Sequence, residues 1–162
     1  MLTGMGGVGK TQIAAAYARS RLDAGWMVAW MNAADRAGVA TGLTEVAAAL
    51  GADERSSDLE SIAAVVGQRL EAFGQQRLVV FDGATDIESL AQVLPSIGQA
   101  QVIITSTKRE AGRSGTVVPV RVFDEVEALT FLAQRTGLEN AEGARDLGYA
   151  SLSSRQPPGS GW

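Results

Sequence analysis

The stretch GMGGVGKT, residues 4–11, is the most informative part of this 162-residue chain. Its spacing G-x-x-x-x-G-K-T is met in full by Gly4, Gly9, Lys10 and Thr11. Glycines let the backbone curl until successive N–H groups point at one small anion, and a helix that starts just beyond adds its positive end. The stretch therefore predicts a phosphate-binding loop between a strand and a helix. An ordinary glycine-rich turn is the alternative.

The residues of this loop and one acid further along the chain have expected tasks. Lys10 would reach the β- and γ-phosphates of a nucleotide, and the Thr11 hydroxyl would ligate Mg²⁺. Asp82 ends the apolar run RLVVFD, where P-loop NTPases carry the acid that positions Mg²⁺; a turn acid after a strand is the alternative. We therefore predict Lys10 and Asp82 as catalytic residues, and Thr11 and Asp82 as Mg²⁺ ligands. The predicted nucleotide contacts are Gly4, Met5, Gly6, Gly7, Val8, Gly9, Lys10, Thr11, Gln12 and Thr105.

The residues around Asp82 bear on hydrolysis. Many hydrolytic P-loop proteins carry a second carboxylate directly after this acid, to activate water, whereas this chain has Gly83. Asp86 follows three residues later and is predicted to be a solvated helix cap. Thr105 and Lys108 follow the next apolar run and are candidates for sensing the γ-phosphate, with a solvated loop as the alternative.

The composition excludes several kinds of chemistry. The chain is 46% hydrophobic and 20% charged with a net charge of −4, which suits one soluble domain. Without a long basic run, it gives no sign of nucleic-acid binding. The absence of Cys and His from the sequence excludes disulfides, thiolate metal sites and imidazole catalysis. Since there is no apolar stretch of about 18 residues and no signal-peptide pattern, we expect a cytoplasmic protein without membrane contact.

Strand-like and helix-like segments alternate along the chain. The predicted helices lie at 12–22, 41–50, 59–73, 86–93, 124–137 and 139–147. The predicted strands lie at 26–32, 77–82, 101–105 and 116–120, after a truncated first strand. This order predicts an α/β fold, a three-layer sandwich with a mainly parallel sheet of about five strands. We expect the strand at 26–32 to be covered on both faces, with Trp26 and Trp30 packed in the core, and Asp35 and Arg36 to be loop charges.

Four stretches together resemble one family. GMGGVGKTQIA, RLVVFDGATD, VIITSTKR and VRVFDEVEALTFLAQRTG are similar to the NB-ARC nucleotide-binding domain of STAND-type signalling NTPases, nearest to the bacterial members with tetratricopeptide repeats. The resemblance implies a switch that is closed with ADP and open and oligomeric with ATP, with Mg²⁺ and at most slow ATP hydrolysis. It also implies winged-helix and repeat regions after this domain in the parent protein. ADP or ATP is implied by the family alone, because no guanine-reading N-K-x-D stretch is present.

The chain departs from the family pattern at several places. Only Met1–Thr3 precede the loop, Gly83 replaces a second Asp or Asn, and Thr107 stands where the family often has Arg. We therefore expect a partial nucleotide-binding domain at 1–149. The tail at 150–162, SLSSRQPPGSGW after one Ala, leaves the family's G-x-P-L-A-L pattern. We expect it to be disordered, and we hypothesise a misassigned start and a frameshift or truncation in the reading frame.

Three functions remain open on these observations. The first is an ADP/ATP-binding switch module with slow hydrolysis, in which ligand affinity differs between two states. The second is an active P-loop ATPase or kinase, and the third is a degenerate fragment without nucleotide function.

Overall fold

The computed structural model describes residues 1–52, 58–72, 74, 76–97, 99–108 and 115–137. Within these residues the strands are β1 (Leu2–Thr3), β2 (Met27–Asn32), β3 (Arg77–Ala84), β4 (Gln101–Ser106) and β5 (Val118–Pro119). The helices are α1 (Lys10–Asp23), α2 (Arg36–Ala49), α3 (Leu59–Ala72), α4 (Ile87–Val93), a short 3₁₀ helix (Leu94–Ile97) and α5 (Glu125–Thr136). The strands form one sheet in the order β2-β3-β4-β1-β5, and every pair is parallel.

Helices cover both faces of this sheet. Val79 and Phe81 of β3 are fully buried in a core that includes residues of α2, α3 and α4. Their neighbours Leu78 and Val80 point the other way and pack with Ala14 of α1. Because successive strand residues face opposite sides, a run such as LVVF can be buried throughout only when both faces are covered. The predicted three-layer α/β sandwich with a parallel sheet is therefore confirmed.

The first strand is short but well connected. β1 lies between β4 and β5, with Leu2 opposite Thr105 and Val118 in the register of the sheet. The Val120 N–H donates to the Thr3 carbonyl at 2.6 Å. These bonds hold in place the residues that lead into the glycine-rich loop.

The prediction that Trp30 packs in the core is wrong, although β2 is covered on both faces: Met31 lies in one core, and Val28 packs against the other. β2 is the last strand of the sheet, and Trp30 is 40% exposed. Trp26, just before β2, does pack against the core on the α1 side, and the Arg21 guanidinium lies 5.1 Å from the centre of its ring. The edge position explains the difference, because an edge strand has a neighbour on one side alone.

α2 begins earlier than predicted. Asp35 is its N-cap, and the Asp35 carboxylate accepts a hydrogen bond from the Gly38 N–H at 2.7 Å. Asp35 and Arg36 are thus the cap and first residue of a helix rather than loop charges, because an Asp side chain satisfies one of the free N–H groups of a first turn. Further along α2, a Cβ added to Gly42 would lie 2.7 Å from Cγ of Met31, so this helix packs closely on β2.

The chain divides into two compact units, Met1–Arg121 and Val122–Trp162. In the second unit the structure describes residues 122–137, which hold α5. Asp124 followed by Glu127 three residues later is a sequence pattern that predicts a capping box, and the structure confirms it: Asp124 accepts from the Glu127 N–H, and the Glu127 side chain accepts from the Asp124 N–H. Gly137 ends the helix with a left-handed φ of 67°. The helix predicted at 139–147, the tail at 150–162 and the Phe73 end of the helix predicted at 59–73 lie outside the described residues.

Candidate functional site

Three strand ends meet at one edge of the sheet in the first unit. β1 leads into the loop at residues 4–9, β3 carries Asp82, and β4 carries Thr105. β4 lies between the other two strands, and all three run in the same direction. In parallel α/β sheets, ligands bind outside the carboxyl ends of the strands. The fold therefore brings Lys10, Thr11, Asp82 and Thr105 to one place, as the sequence predicts.

The loop curls as its glycines allow. Gly4, Gly7 and Gly9 have φ angles of 152°, 78° and 92°, values that residues with a side chain rarely adopt. α1 then begins at Lys10, with Gly9 as an N-cap that offers no side-chain hydrogen bond and with no acidic residue in the first turn. The N–H groups of a first helical turn have no partner within the helix. This helix start therefore keeps its donors and its positive end available for an anion.

The Lys10 ammonium is held by the loop itself. Its Nζ donates to the carbonyls of Gly4 at 2.9 Å and Met5 at 2.7 Å, and Lys10 is 8% exposed. A buried charge needs such partners because burial without them is costly. The ammonium thus stands within the loop, next to the backbone that would surround a phosphate.

Asp82 is bonded to two hydroxyl groups. Thr11 Oγ1 donates to Asp82 Oδ1 at 2.8 Å, and Thr105 Oγ1 donates to the same oxygen at 2.5 Å. A carboxylate beside a hydroxyl suits Mg²⁺, which is commonly held by one or two carboxylates together with phosphate and water oxygens. Within the described residues no group of three or more His, Cys, Asp or Glu could hold a metal. Thr11 and Asp82 are the predicted metal ligands that the structure brings together, and their role as Mg²⁺ ligands stays a prediction.

β3 contains a bulge at Asp82. Phe81 pairs with Ile104 and Ala84 with Ser106, so Asp82 and Gly83 together stand opposite Thr105. Gly83 has a left-handed φ of 77°, and its N–H donates to Thr105 Oγ1 at 2.8 Å. Bulges of this kind redirect side chains next to functional sites. The sequence analysis missed this bulge because it ended the strand at Asp82; the glycine directly after the acid is the one local signal of it.

Asp86 is a helix cap, as predicted. It precedes α4 and accepts hydrogen bonds from the Ser89 N–H at 3.0 Å and the Ser89 hydroxyl at 2.5 Å. The Ser89 hydroxyl, and then the Ser89 N–H, lower the pKa of the Asp86 carboxyl. A carboxylate with a lowered pKa and two donors is a poor general base.

The loop also packs on a backbone segment that the sequence did not reveal. A Cβ added to Gly4 would lie 2.2 Å from the carbonyl oxygen of Val120, the residue after β5. A main-chain carbonyl leaves no side-chain pattern, so no sequence signal could have identified this contact.

The remaining predicted residues lie along the loop and the start of α1. Met5, Gly6, Gly7 and Gln12 are exposed, and Val8 is half-buried beside Gly4. At the end of β4, Thr105 is buried and Lys108 is exposed. The roles of these residues as nucleotide contacts or phosphate sensors stay predictions.

Comparison with known proteins bears on the fold. No protein-family model and no curated protein matches this chain. Among solved structures, the ORC2 protein of Aeropyrum pernix, described in ADPNP–ADP complexes, has a TM-score of 0.58 and 19% identity. AMPPCP-bound DnaA from Aquifex aeolicus has a TM-score of 0.51 and 14% identity. Each likeness covers 85% of this chain and 45% of the other protein.

The chain therefore has the fold of P-loop NTPases, with a five-stranded parallel sheet and a phosphate-loop sequence at the expected strand end. The predicted fold class is confirmed, and the NB-ARC type stays a prediction. Among the described residues, no helix has the length and apolar character needed to cross a membrane.

Proposed function

We propose that this chain is a nucleotide-binding module that holds ADP or ATP with Mg²⁺ at the loop of residues 4–11. One observation carries the proposal. The curled loop, the Lys10 ammonium and the hydrogen-bonded pair of Thr11 and Asp82 lie together where the strands end at one edge of the sheet. The solved structures of the same fold support it, because ORC2 is described in ADPNP–ADP complexes and DnaA with bound AMPPCP.

The phosphate half of the proposed site uses main-chain donors. The N–H groups of the loop and of the first turn of α1 would surround the β-phosphate, and Lys10 would exchange one of its carbonyl partners for a phosphate oxygen. The ammonium donates in both cases, but a hydrogen bond to an anionic phosphate oxygen is stronger than one to a neutral carbonyl. Binding by this half alone would not distinguish ADP from ATP.

The metal half of the proposed site uses side chains. Thr11 and Asp82 would hold Mg²⁺, which when bound neutralises charge on the β- and γ-phosphates. Asp82 is already orientated by its two hydroxyl donors. The order of these side chains before ligand binding favours metal binding, because less freedom is lost on association.

We further propose that hydrolysis is slow and that the module acts as a switch. Directly after Asp82 the chain has Gly83, which cannot activate water, and the pKa of Asp86 is lowered by the helix cap that it forms. A switch needs a difference in affinity between two states rather than fast catalysis. The resemblance to NB-ARC domains supports this type of module, with winged-helix and repeat regions and an activated oligomer in the parent protein.

Calorimetric titration of the full chain with MgADP tests the binding proposal. We expect a Kd of about micromolar or weaker for the wild type. Lys10→Ala should weaken binding by about tenfold to a hundredfold, because charged hydrogen bonds contribute about 1.5–3 kcal/mol. Arg19→Ala, which removes an exposed cation in the second half of α1, is the matched control and should bind normally. Equal heats from the wild type and Lys10→Ala, both folded by circular dichroism, would refute the site.

A steady-state ATPase assay separates the switch from an active enzyme. We expect fewer than about 0.01 turnovers per second, the range of P-loop GTPases that lack an added catalytic partner. Several turnovers per second would overturn the switch and favour an active ATPase or kinase.

A further inference from the structure

We propose that Thr105 is a positioning residue, whose hydroxyl fixes the Asp82 carboxylate for Mg²⁺ and does not itself contact phosphate. This inference rests on the proposed function of the site. It assigns Thr105 a task different from the phosphate sensing that the sequence pattern indicates.

The hydrogen bonds of Thr105 define that task. Its hydroxyl donates to Asp82 Oδ1 at 2.5 Å and accepts from the Gly83 N–H at 2.8 Å. A threonine hydroxyl carries a single hydrogen, and a phosphate oxygen needs a donor. While that hydrogen is on Asp82, Thr105 has none to give to a phosphate. Thr105 is also 1% exposed, so its side chain is shielded from a ligand in solvent.

The bulge in β3 explains why a hydroxyl is needed here. Asp82 and Gly83 share the single partner Thr105, which interrupts the regular ladder of main-chain hydrogen bonds. The Thr105 side chain supplies the missing acceptor for the Gly83 N–H. The same oxygen donates to Asp82, so the group that completes the bulge also sets the direction of the carboxylate.

The two hydroxyl partners of Asp82 differ in their surroundings. Thr11 is exposed and belongs to the first turn of α1 beside the loop, whereas Thr105 is buried in the central part of the sheet. Both donate to Oδ1, and within the described residues no donor reaches Oδ2. Thr105 therefore holds the Asp82 carboxylate from within the sheet and leaves Oδ2 for a hydrated cation.

Two variants of Thr105 test this inference. Thr105→Val keeps the side-chain shape and removes the hydroxyl, and Thr105→Ser keeps the hydroxyl. ADP affinity is measured by calorimetry with Mg²⁺ and again with EDTA. We expect Thr105→Val to lower the affinity for ADP about tenfold with Mg²⁺, as loss of a partner of a metal ligand does, and to leave the EDTA value unchanged. Thr105→Ser, which keeps the hydroxyl, should bind ADP with the wild-type affinity in Mg²⁺.

The outcomes separate the inference from the proposed function. Wild type that binds no ADP in either buffer overturns the proposed function and this inference with it. If the wild type binds ADP and Thr105→Val binds it with the same affinity in Mg²⁺, the inference alone is overturned. An equal loss of affinity in Mg²⁺ and EDTA also overturns the inference, because it indicates direct contact with the nucleotide.

A measurement on the wild type does not depend on the folding of a variant. In NMR spectra of labelled protein, the side-chain resonances of Thr105 should move when Mg²⁺ is added to the ADP complex and stay in place when ADP is added in EDTA. Movement with ADP alone would overturn the inference.

Discussion

The carboxyl ends of β1 and β3 lie at the same edge of the sheet but are built differently. At the end of β1, the glycine-rich loop and the first turn of α1 offer main-chain N–H groups and one ammonium, that of Lys10. At the end of β3, a bulge presents the single carboxylate of Asp82, held by two hydroxyls. One end has donors for phosphate, and the other has acceptors for a cation.

The contrast between the two ends bears on binding and hydrolysis in the proposed site. The β1 end has every group expected of a phosphate-binding loop. The β3 end has Asp82, the acid proposed to hold Mg²⁺, but Gly83 follows it and Asp86 is engaged as a cap. This imbalance fits the proposed function, in which a nucleotide is bound but hydrolysed slowly.

The largest loss of stability that we expect comes from a substitution at the β1 end. The Cβ of Gly4→Ala would lie 2.2 Å from the Val120 carbonyl oxygen, at a φ of 152°. We expect the free energy of unfolding to fall by about 3 kcal/mol or more, from overpacking together with backbone strain, as measured by urea denaturation. Gly6→Ala is the control: no atom lies within 4 Å of its added Cβ, and its stability should stay within about 0.5 kcal/mol of the wild type. Equal stability of the two variants would contradict the packing described for Gly4.

A smaller effect is expected from the charge at the β3 end. Asp82→Asn keeps an oxygen that accepts from Thr11 and Thr105, so the fold should be retained, but the amide oxygen is a weaker Mg²⁺ ligand. We expect the affinity for ADP in Mg²⁺ to fall about tenfold, or about 1.4 kcal/mol, with no change in EDTA. Asp86→Asn, which keeps a good helix cap, should bind ADP normally in both buffers. Loss of affinity in EDTA would show that Asp82 acts on the nucleotide and not through the metal.

Gly83→Ala compares the two strand ends directly. Like Gly4, Gly83 has a positive φ, which is 77° at this position. Unlike at Gly4, no atom lies within 4 Å of a Cβ added to Gly83. We expect Gly83→Ala to lower the free energy of unfolding by about 1–2 kcal/mol, the cost of the left-handed backbone alone, in the same urea experiment. A loss as large as that of Gly4→Ala would mean that the bulge is as crowded as the loop.

The smallest effect concerns the cap beside the β3 end and depends on pH. Ser89 lowers the pKa of Asp86 below its ordinary value of 3.8, so the folded state binds this proton less readily than the unfolded chain. The stabilisation by the ionised cap is therefore complete above that ordinary value and is lost as pH falls through the lowered pKa. We expect Asp86→Ala to lower the urea midpoint at neutral pH, and the difference from the wild type to shrink in acid. A difference that stays constant into strong acid would contradict this role.

Local sequence patterns predicted much of the molecule. The spacing of Gly4, Gly9, Lys10 and Thr11 identified the loop, because phosphate binding requires glycines and a lysine at fixed distances. The α5 capping box was evident from Asp124 and Glu127, because it depends on neighbouring residues alone. The alternation of strand-like apolar runs with helix-like segments predicted the parallel sheet.

Features that depend on the partner strand escaped the sequence analysis. The bulge at Gly83 exists because β3 has one residue more than β4 at that point, and within β3 the glycine after Asp82 is the one signal of it. The exposure of Trp30 follows from the edge position of β2. The contact of Gly4 with the Val120 carbonyl joins positions far apart in sequence.

The amide NMR spectrum of ¹⁵N-labelled protein, titrated with MgADP, tests most directly whether the main chain of the loop holds a diphosphate. We expect the largest shifts at the N–H groups of Gly7, Gly9, Lys10 and Thr11, and we expect pyrophosphate with Mg²⁺ to move the same resonances while adenosine does not. Unmoved loop resonances at ADP concentrations that saturate binding elsewhere would contradict it.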